Sequence, residues 1–298
     1  MPHVKMSELP WSLQGRTAFI TGGSRGLGEV IAQAFLEAGA NVALCARSAK
    51  ELAQTQQRLS QKYSDQRVKA FPLDVTDPPG VTDSLKAILE AFGDLHVLVN
   101  NAGVYGPMGS LWQTSAEEWD AALRINIQGS VYPIRNVVPY FLKKGYGKII
   151  QISGGGATNP LPRITAYAAS KAAIVRLAES LALDLKGTGI DVNAIAPGAL
   201  NTKMMDDLLR AGPELVGQEF FSKMKNVSEQ GGTPLEVGAR LAVFLASKES
   251  DGITGRLISA PWDRWEDWPK YLAELDKSDA YTLRRITGKD RGLTWGDR

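Results

Sequence analysis

The sequence TGGSRGLG, from Thr21 to Gly28, follows the short run Thr17-Ala-Phe-Ile20 and precedes the amphipathic segment 29–38. This order predicts a short buried strand, a glycine-rich turn and a helix. In that arrangement, free backbone N–H groups at the helix start can bind a pyrophosphate. The spacing is G-x-x-x-G-x-G and not the more general G-x-G-x-x-G. The stretch indicates a dinucleotide-binding fold, although a plain connection between strand and helix would also explain it when taken alone.

A second predicted strand, 41–46, ends at Arg47. A dinucleotide fold places the residue that meets the adenosine ribose about 20 residues after the glycines. An acid there binds the 2′-hydroxyl of NAD, whereas an arginine accommodates the 2′-phosphate of NADP. We therefore predict NADP, bound by Arg47 with help from Arg25 in the turn. The alternative is that Arg47 only contacts solvent.

Helix and strand patterns alternate along the rest of the chain. Helices are predicted at 49–63, 81–92, 115–120, 123–144, 167–186 and 234–246, and strands at 68–73, 95–99, 148–152, 190–195 and 255–260. This alternation predicts a parallel sheet with right-handed crossovers, whose ligands bind beyond the carboxyl ends of the strands. The predicted fold class is α/β, a single Rossmann-type, doubly wound domain over residues 1–260. Residues 201–225 are expected to form a mobile cover over its pocket.

Tyr167 and Lys171 lie four residues apart in a predicted helix, so their side chains leave the same face one turn apart. A phenol ordinarily has a pKa of about 10, and a cation nearby lowers that pKa by favouring the phenolate. Such a tyrosine can give a proton to a carbonyl oxygen or take one from an alcohol. The pair predicts acid/base chemistry unless its spacing is a coincidence on a solvated helix.

The bulk composition indicates neither a nucleic acid nor a membrane as partner. The 298 residues carry a formal net charge of +2, with 44% hydrophobic and 22% charged residues. We find no segment with the roughly 20 apolar residues of a membrane span and no signal peptide, so we predict a cytoplasmic protein. A single cysteine, Cys45, suits a reducing compartment. His3 and His96 lack metal-ligand spacing, and no metal is predicted.

Taken in order, the motifs resemble the short-chain dehydrogenase/reductase family over residues 13–260. The resemblance rests on TGGSRGLG, Asp74-Val75, Asn100-Asn101-Ala102-Gly103, Asn126, Tyr167-x-x-x-Lys171, and Pro197-Gly198 followed by Thr202. It implies that Tyr167 is the catalytic acid/base, that Lys171 lowers its pKa and binds the nicotinamide ribose, and that Asn126 holds a water of a proton relay. The residues it implies for cofactor binding, besides Arg47, are Thr21, Gly22, Ser24, Arg25, Gly26, Leu27, Gly28, Asp74, Val75, Asn101, Ala102, Gly103, Tyr167, Lys171, Pro197, Gly198 and Thr202.

One catalytic position departs from the family pattern. The family's substrate-binding serine usually stands 13 residues before the tyrosine, where this chain has Gly154, and Ser153 lies one place earlier. One step along a strand turns a side chain to the opposite face. Glycines permit a bulge at low steric cost, so we expect the run 154–156 to bulge and bring the Ser153 hydroxyl to the substrate. The alternative is a site that works without this serine.

An extension, residues 261–298, follows the last predicted strand. It holds four of the seven tryptophans of the chain, which are Trp262, Trp265, Trp268 and Trp295. Because it is too aromatic for a disordered tail, we expect a helix at 268–275 and an arm packed on this domain or on a neighbouring subunit. In the alternative interpretation, it closes over the pocket and Arg284 or Arg285 binds an anionic substrate.

The predicted function is the NADP(H)-dependent interconversion of a carbonyl and an alcohol on a small-molecule substrate. Residues 159–162, Tyr105 and the pair Met204-Met205 are expected to shape the pocket. Two alternatives stay open: an imine reductase on the same scaffold, and a non-catalytic NAD(P)-binding sensor or structural protein. The resemblance also implies a homo-oligomer, either a dimer or a tetramer, packed through 123–144 and 164–186.

Overall fold

A parallel seven-stranded sheet is the centre of the fold. The computed structural model of the protein describes residues 10–63 and 68–295. The strands are β1 (Thr17–Thr21), β2 (Asn41–Ala46), β3 (Val68–Pro72), β4 (Val97–Asn100), β5 (Gly147–Ile152), β6 (Ile190–Ala196) and β7 (Leu257–Ser259). They lie in the order 3-2-1-4-5-6-7, and every neighbouring pair is parallel. The prediction of a Rossmann-type, doubly wound α/β fold is confirmed.

Helices cover both faces of this sheet. In chain order they are α1 (Gly26–Glu37), α2 (Ala49–Lys62), α3 (Pro78–Phe92), α4 (Ala116–Leu123), α5 (Gly129–Lys144), α6 (Thr165–Asp184), α7 (Lys203–Val216), α8 (Gln218–Glu229), α9 (Leu235–Ala246) and α10 (Leu272–Asp276). Apolar side chains of α1, α2 and α9 form the core on one face, and those of α3, α5 and α6 form it on the other. Burial of these two stripes is the main stabilising contribution to the fold.

Two stretches differ from the predicted pattern. The helices expected at 115–120 and 123–144 are joined through a π-helix, Arg124–Gln128, so that α4 and α5 form one run. The expected cover, 201–225, forms the helices α7 and α8. Within α7, Gly212 has a left-handed φ of +78° and kinks the helix just before Pro213. Glycine and proline interrupt helical periodicity, so the sequence of this segment does not show a clear helical pattern.

The extension packs on the domain through aromatic side chains. Trp265 is buried against Trp11 and Phe244, with ring centroids 5.4 and 5.2 Å apart. A 3₁₀ helix, Trp265–Tyr271, precedes α10 where one helix was expected. The ring of Trp268 contacts that of Tyr281 at 4.3 Å. The extension therefore adds to the core of the same chain.

The outer strand β7 is also bound by the extension. The Leu257 N–H donates to the carbonyl of Tyr281 (2.8 Å). The guanidinium of Arg256 donates to the carbonyls of Ser278 (2.9 Å) and Ala280 (2.7 Å). The first contact gives a partner to a backbone N–H that an edge strand would otherwise leave free, and the others hold the extension beside β7.

Within the described ranges, none of the helices is both long and apolar enough to cross a membrane. The same residues hold no group of three or more histidine, cysteine, aspartate or glutamate side chains arranged to bind a metal ion.

Candidate active site

A cavity of about 2190 Å³ lies at the carboxyl ends of the central strands. Helices α7 and α8 form part of its wall. All of the predicted site residues line it except Thr21, Gly28 and Asn126. These three contact residues of the lining from the side away from the cavity. The predicted residues that line it are Gly22, Ser24, Arg25, Gly26, Leu27, Arg47, Asp74, Val75, Asn101, Ala102, Gly103, Ser153, Tyr167, Lys171, Pro197, Gly198 and Thr202.

The glycine turn after β1 is held against the end of β4. Thr21 Oγ1 accepts hydrogen bonds from the N–H groups of Asn101 (3.0 Å) and Ala102 (3.2 Å). Asn101 Nδ2 donates to the carbonyls of Thr21 and Gly22, each at 3.0 Å. A Cβ at Gly22, which has φ +63°, would lie 2.9 Å from Ala102 Cα, and one at Gly28 would lie 2.4 Å from the Gly22 oxygen. Larger residues would therefore push the turn away from the start of α1.

The start of α1 suits a pyrophosphate. Its N-cap residue, Arg25, makes no side-chain capping hydrogen bond, and Gly26 and Leu27 line the cavity. N–H groups at a helix N-terminus, together with the helix dipole, stabilise an anion. The residues present thus fit the phosphates of a dinucleotide.

At the adenosine end, the two predicted arginines have different surroundings. Arg47 is exposed at the end of β2 and lines the cavity. Arg25, which we expected to assist it, forms an ion pair with Glu51 of α2, with Nη1 2.9 Å from Oε2. Glu51 also lines the cavity and was absent from the predicted site, because only the fold brings it to Arg25, 26 residues earlier. Arg47 is therefore the better placed of the two for a ribose phosphate.

Asp74, after β3, is close enough to Arg47 for their charges to interact. Partial burial opposes the ionisation of Asp74, but hydrogen bonds from Thr76 and the charges of Arg47 and Arg124 hold the pKa of this carboxyl below its usual value. Asp74 Oδ1 accepts from the N–H (2.9 Å) and the hydroxyl (2.8 Å) of Thr76. The carboxylate is thus fixed in the part of the cavity wall that also holds Arg47.

Tyr167 and Lys171 project from α6 into the middle of the cavity. Lys171 Nζ donates to the carbonyl of Ile152 (2.7 Å) and lies 5.5 Å from the centroid of the Tyr167 ring. Burial lowers the pKa of Lys171 to about 8. Burial raises the pKa of Tyr167, and the neighbouring phenol of Tyr105 raises it further. Burial thus opposes the expected lowering of the Tyr167 pKa by Lys171, and that lowering stays a prediction.

Asn126 lies in the π-helix and joins three segments of the site. Its Oδ1 accepts from the Val104 N–H (2.8 Å). Its Nδ2 donates to the Val104 carbonyl (2.9 Å) and to the hydroxyl of Ser170 (2.8 Å), and Ser170 in turn donates to the carbonyl of Tyr167 (2.7 Å). Through these bonds Asn126 positions the loop after β4 and the first turn of α6.

Comparison with known proteins decides the family. The sequence model described as short chain dehydrogenase matches residues 16–211. This chain belongs to the short-chain dehydrogenase/reductase family. A short-chain type dehydrogenase/reductase of Picea abies is 37% identical to it over 252 residues, with 83% of this chain and 91% of the relative covered.

Solved structures of the family share its fold. A 3-ketoacyl-(acyl-carrier-protein) reductase from Brucella melitensis, in complex with NADH, has a TM-score of 0.73 at 26% identity, covering 83% of this chain and 97% of its own. L-Sorbose reductase from Gluconobacter frateurii, in complex with NADPH and L-sorbose, has a TM-score of 0.75 at 28% identity, covering 84% and 96%. The protein is thus an NAD(P)-dependent short-chain dehydrogenase/reductase.

The predicted serine of this short-chain dehydrogenase/reductase, Ser153, is bonded to the backbone of α6. The Ser153 hydroxyl is buried and donates to the carbonyl of Lys171 (3.2 Å). Gly154, just beyond the end of β5, has extended backbone angles, φ 174° and ψ 176°, and residues 155–157 form a 3₁₀ turn, so the expected bulge is wrong. A Cβ at Gly154 would lie 2.5 Å from the Tyr167 hydroxyl. The residue facing that hydroxyl is thus a glycine.

The wall around the substrate end includes residues that sequence reasoning missed. Tyr105, Met204 and Met205 line it as expected, together with 159–162. Trp262, Asp263, Tyr281 and Thr282 of the extension line it as well. Their separation of more than 90 residues from Tyr167 in the sequence left no local signal for this placement.

Arg284 does not face this cavity. Its guanidinium binds the carboxylates of Asp279 and Asp290, each at 2.8 Å. These two acids engage Arg284 outside the lining of the cavity, which does not favour it as a ligand of an anionic substrate, and the suggestion for Arg285 stays a prediction.

Proposed function

We propose that this enzyme interconverts a ketone or aldehyde with the corresponding alcohol, that its cofactor is NADP(H), and that Tyr167 is its acid/base. The observation that carries the proposal is the placement of the Tyr167 hydroxyl at the cavity wall with no hydrogen-bond partner among the described residues. A phenol in this position is free to exchange a proton with a bound oxygen.

The residues of the chain would bind, orient and move protons, and the nicotinamide would donate or accept the hydride. The pKa of Tyr167 is raised by burial, so the phenol stays protonated at neutral pH and can donate to a carbonyl oxygen. Lys171 uses one of its three N–H donors on Ile152 and retains two for the ribose hydroxyls. Asn126 positions these groups, and a water held by it stays a prediction.

The predicted cofactor-binding residues fit one continuous binding path. It would run from Arg47 and Asp74 at the adenosine end, past the glycine turn, to Lys171 and Thr202 at the nicotinamide end. NADP rather than NAD is proposed because Arg47 is exposed at the position where an acid would bind the 2′-hydroxyl. One of the two solved relatives above carries NADH and the other NADPH, so the proposal depends on Arg47.

We also propose that the protein is a homo-oligomer. Leu142 on α5 and Leu183 on α6 are 47% and 74% exposed, on the two helices through which the family resemblance implies assembly. Exposed leucines on neighbouring helices suit a protein–protein contact. A cytoplasmic location stays a prediction from the sequence.

Turnover of the purified chain tests the activity. We expect oxidation of NADPH in the presence of at least some members of a panel of ketones and aldehydes, measured by NADPH absorbance. A cyclic imine panel is run in parallel, because a glycine facing Tyr167 leaves the imine alternative open. Turnover of imines alone would replace the carbonyl proposal, and binding of NADPH without any turnover would support the sensor alternative.

Arg47→Ala is expected to raise the KM for NADPH about tenfold or more while leaving the KM for NADH nearly unchanged. The reason is the loss of a charge-assisted hydrogen bond, which contributes about 1.5–3 kcal/mol, to a phosphate that NADH lacks. The matched control is Arg58→Ala on α2, whose guanidinium pairs with Glu29 (2.7 Å) and does not line the cavity. Equal losses for both cofactors would contradict the assignment of Arg47.

A further inference from the structure

Within the carbonyl site, the residue opposite the reactive tyrosine offers no hydroxyl. Gly154, two residues beyond the end of β5, faces the Tyr167 hydroxyl, and Ser153 is turned to the carbonyl of Lys171. A carbonyl oxygen that gains negative charge is stabilised by a second donor besides the proton-donating group. A different side chain must therefore supply that donor, or the site has none.

Thr158 and Asn159 are the nearest polar alternatives in sequence, and they are poorly suited. Both are exposed, and Asn159 Nδ2 donates to Thr158 Oγ1 (3.0 Å). They belong to the loop after Gly154, where solvent competes for their hydrogen bonds.

Tyr105 is better placed. Its ring contacts that of Tyr167 in a T-shaped arrangement, with centroids 4.8 Å apart and planes at 65°, a geometry that favours aromatic pairs. Its hydroxyl has no hydrogen-bond partner within residues 10–63 and 68–295, and its side chain lines the same cavity. The rings of two tyrosines whose hydroxyls lack partners among the described residues thus pack on each other in the cavity wall.

The backbone beside Tyr105 is fixed independently of any ligand. The preceding residue, Val104, exchanges two hydrogen bonds with the Asn126 side chain (2.8 and 2.9 Å). Asn126 also holds the first turn of α6 through Ser170. The same amide therefore sets the relative positions of the segments that carry Tyr105 and Tyr167.

We propose that Tyr105 is a catalytic residue of this enzyme, whose hydroxyl donates a hydrogen bond to the substrate carbonyl oxygen in place of the missing serine. Tyr167 would give its proton to one lone pair of that oxygen, and the Tyr105 O–H would bind the other. Burial raises the pKa of Tyr105, so the phenol keeps its proton and remains a donor at neutral pH. The inference rests on the proposed carbonyl reduction.

Tyr105→Phe tests this inference, because it removes the hydroxyl and keeps the ring that packs on Tyr167. We expect kcat for a carbonyl substrate to fall on the order of 100-fold, as for other oxyanion donors. The Kd of NADPH and the thermal midpoint should change little. The control is Tyr132→Phe, whose hydroxyl donates to Gln128 (3.2 Å) on the surface, and which should keep wild-type kcat.

A loss in kcat of tenfold or more in Tyr105→Phe, at unchanged NADPH affinity and thermal midpoint, supports the inference. A smaller loss overturns it, and so does a loss accompanied by a lowered thermal midpoint that Tyr132→Phe does not show. If the wild type reduces carbonyls and Tyr105→Phe does so equally well, only the inference fails. If the wild type reduces none, the proposed function fails and the inference fails with it.

Discussion

Tyr167→Phe is expected to lower kcat for carbonyl reduction by about 10²- to 10⁴-fold, the range that general acid catalysis contributes. The variant keeps the ring, and therefore its edge contact with Tyr105 at 4.8 Å, but it has no proton to give. The Kd of NADPH should stay within a few-fold of the wild-type value, because the glycine turn and Arg47 are untouched. The measurement is steady-state kcat alongside a fluorescence titration with NADPH.

The control for this substitution is again Tyr132→Phe. A Tyr167→Phe variant that retains more than a third of the wild-type kcat would contradict the assignment of Tyr167 as the acid. Loss of NADPH binding together with turnover would instead indicate that the phenol holds the cofactor. The two readouts therefore separate proton transfer from binding.

The cofactor half of the cavity could be predicted from sequence because its residues lie in short, ordered stretches. Strand, turn and helix follow one another within about one βαβ unit, so TGGSRGLG and Arg47 carry their own structural context. What the sequence could not show is the ion pair that holds Arg25. In the sequence, Glu51 looks like any other glutamate in the first turn of a helix. Only the fold brings α2 to the glycine turn, where Glu51 pairs with Arg25.

The substrate half could be predicted less well because contacts between segments distant in sequence decide its backbone conformation. Gly154 could either bulge or stay extended, and the structure keeps it extended with Ser153 bonded to Lys171. The π-helix that holds Asn126 has no sequence signature, because it arises from the choice between i→i+4 and i→i+5 hydrogen bonds. Long-range packing decides both positions.

The burial of Arg256 beneath the extension could not be predicted from sequence for the same reason. Arg256 reads in sequence as an ordinary residue of an edge strand, yet it is only 8% exposed and binds carbonyls of the extension. Its environment depends on residues 20 and more positions away. Aromatic content alone predicted that residues 261–298 would be ordered, and not where they would bind.

Lys148→Met is expected to lower the free energy of unfolding by about 3–5 kcal/mol, the usual effect of removing one partner of a buried ion pair. The Lys148 side chain is 1% exposed in β5, and its Nζ lies 2.6 Å from both Asp191 Oδ2 and Asp251 Oδ1. Asp191 is only 12% exposed, so the substitution leaves a carboxylate largely removed from water with no cation beside it. Urea denaturation measures the change.

Lys186→Met is the matched control, because its pair with Asp276 (2.9 Å) is solvent-exposed on both sides and exposed pairs contribute little. The double variant Lys148→Met, Asp191→Asn should recover part of the lost stability, since the amide oxygen can still accept from the Gly252 N–H (3.1 Å) without a buried charge. A Lys148→Met protein as stable as the wild type would mean that water reaches Asp191 and that the pair is not a buried one.

Lys148 lies at the amino end of β5, whereas the cavity is lined by Ile152 at the carboxyl end of the same strand. Lys148→Met should therefore keep wild-type kcat wherever it remains folded, while Tyr167→Phe should keep wild-type stability and lose turnover. Substitutions at the amino end of β5 should thus affect stability, and substitutions at the cavity should affect turnover, each without the other. If Lys148→Met lost activity at a temperature where it is fully folded, the two ends of β5 would be coupled, and stability and chemistry could not be assigned to separate edges of the sheet.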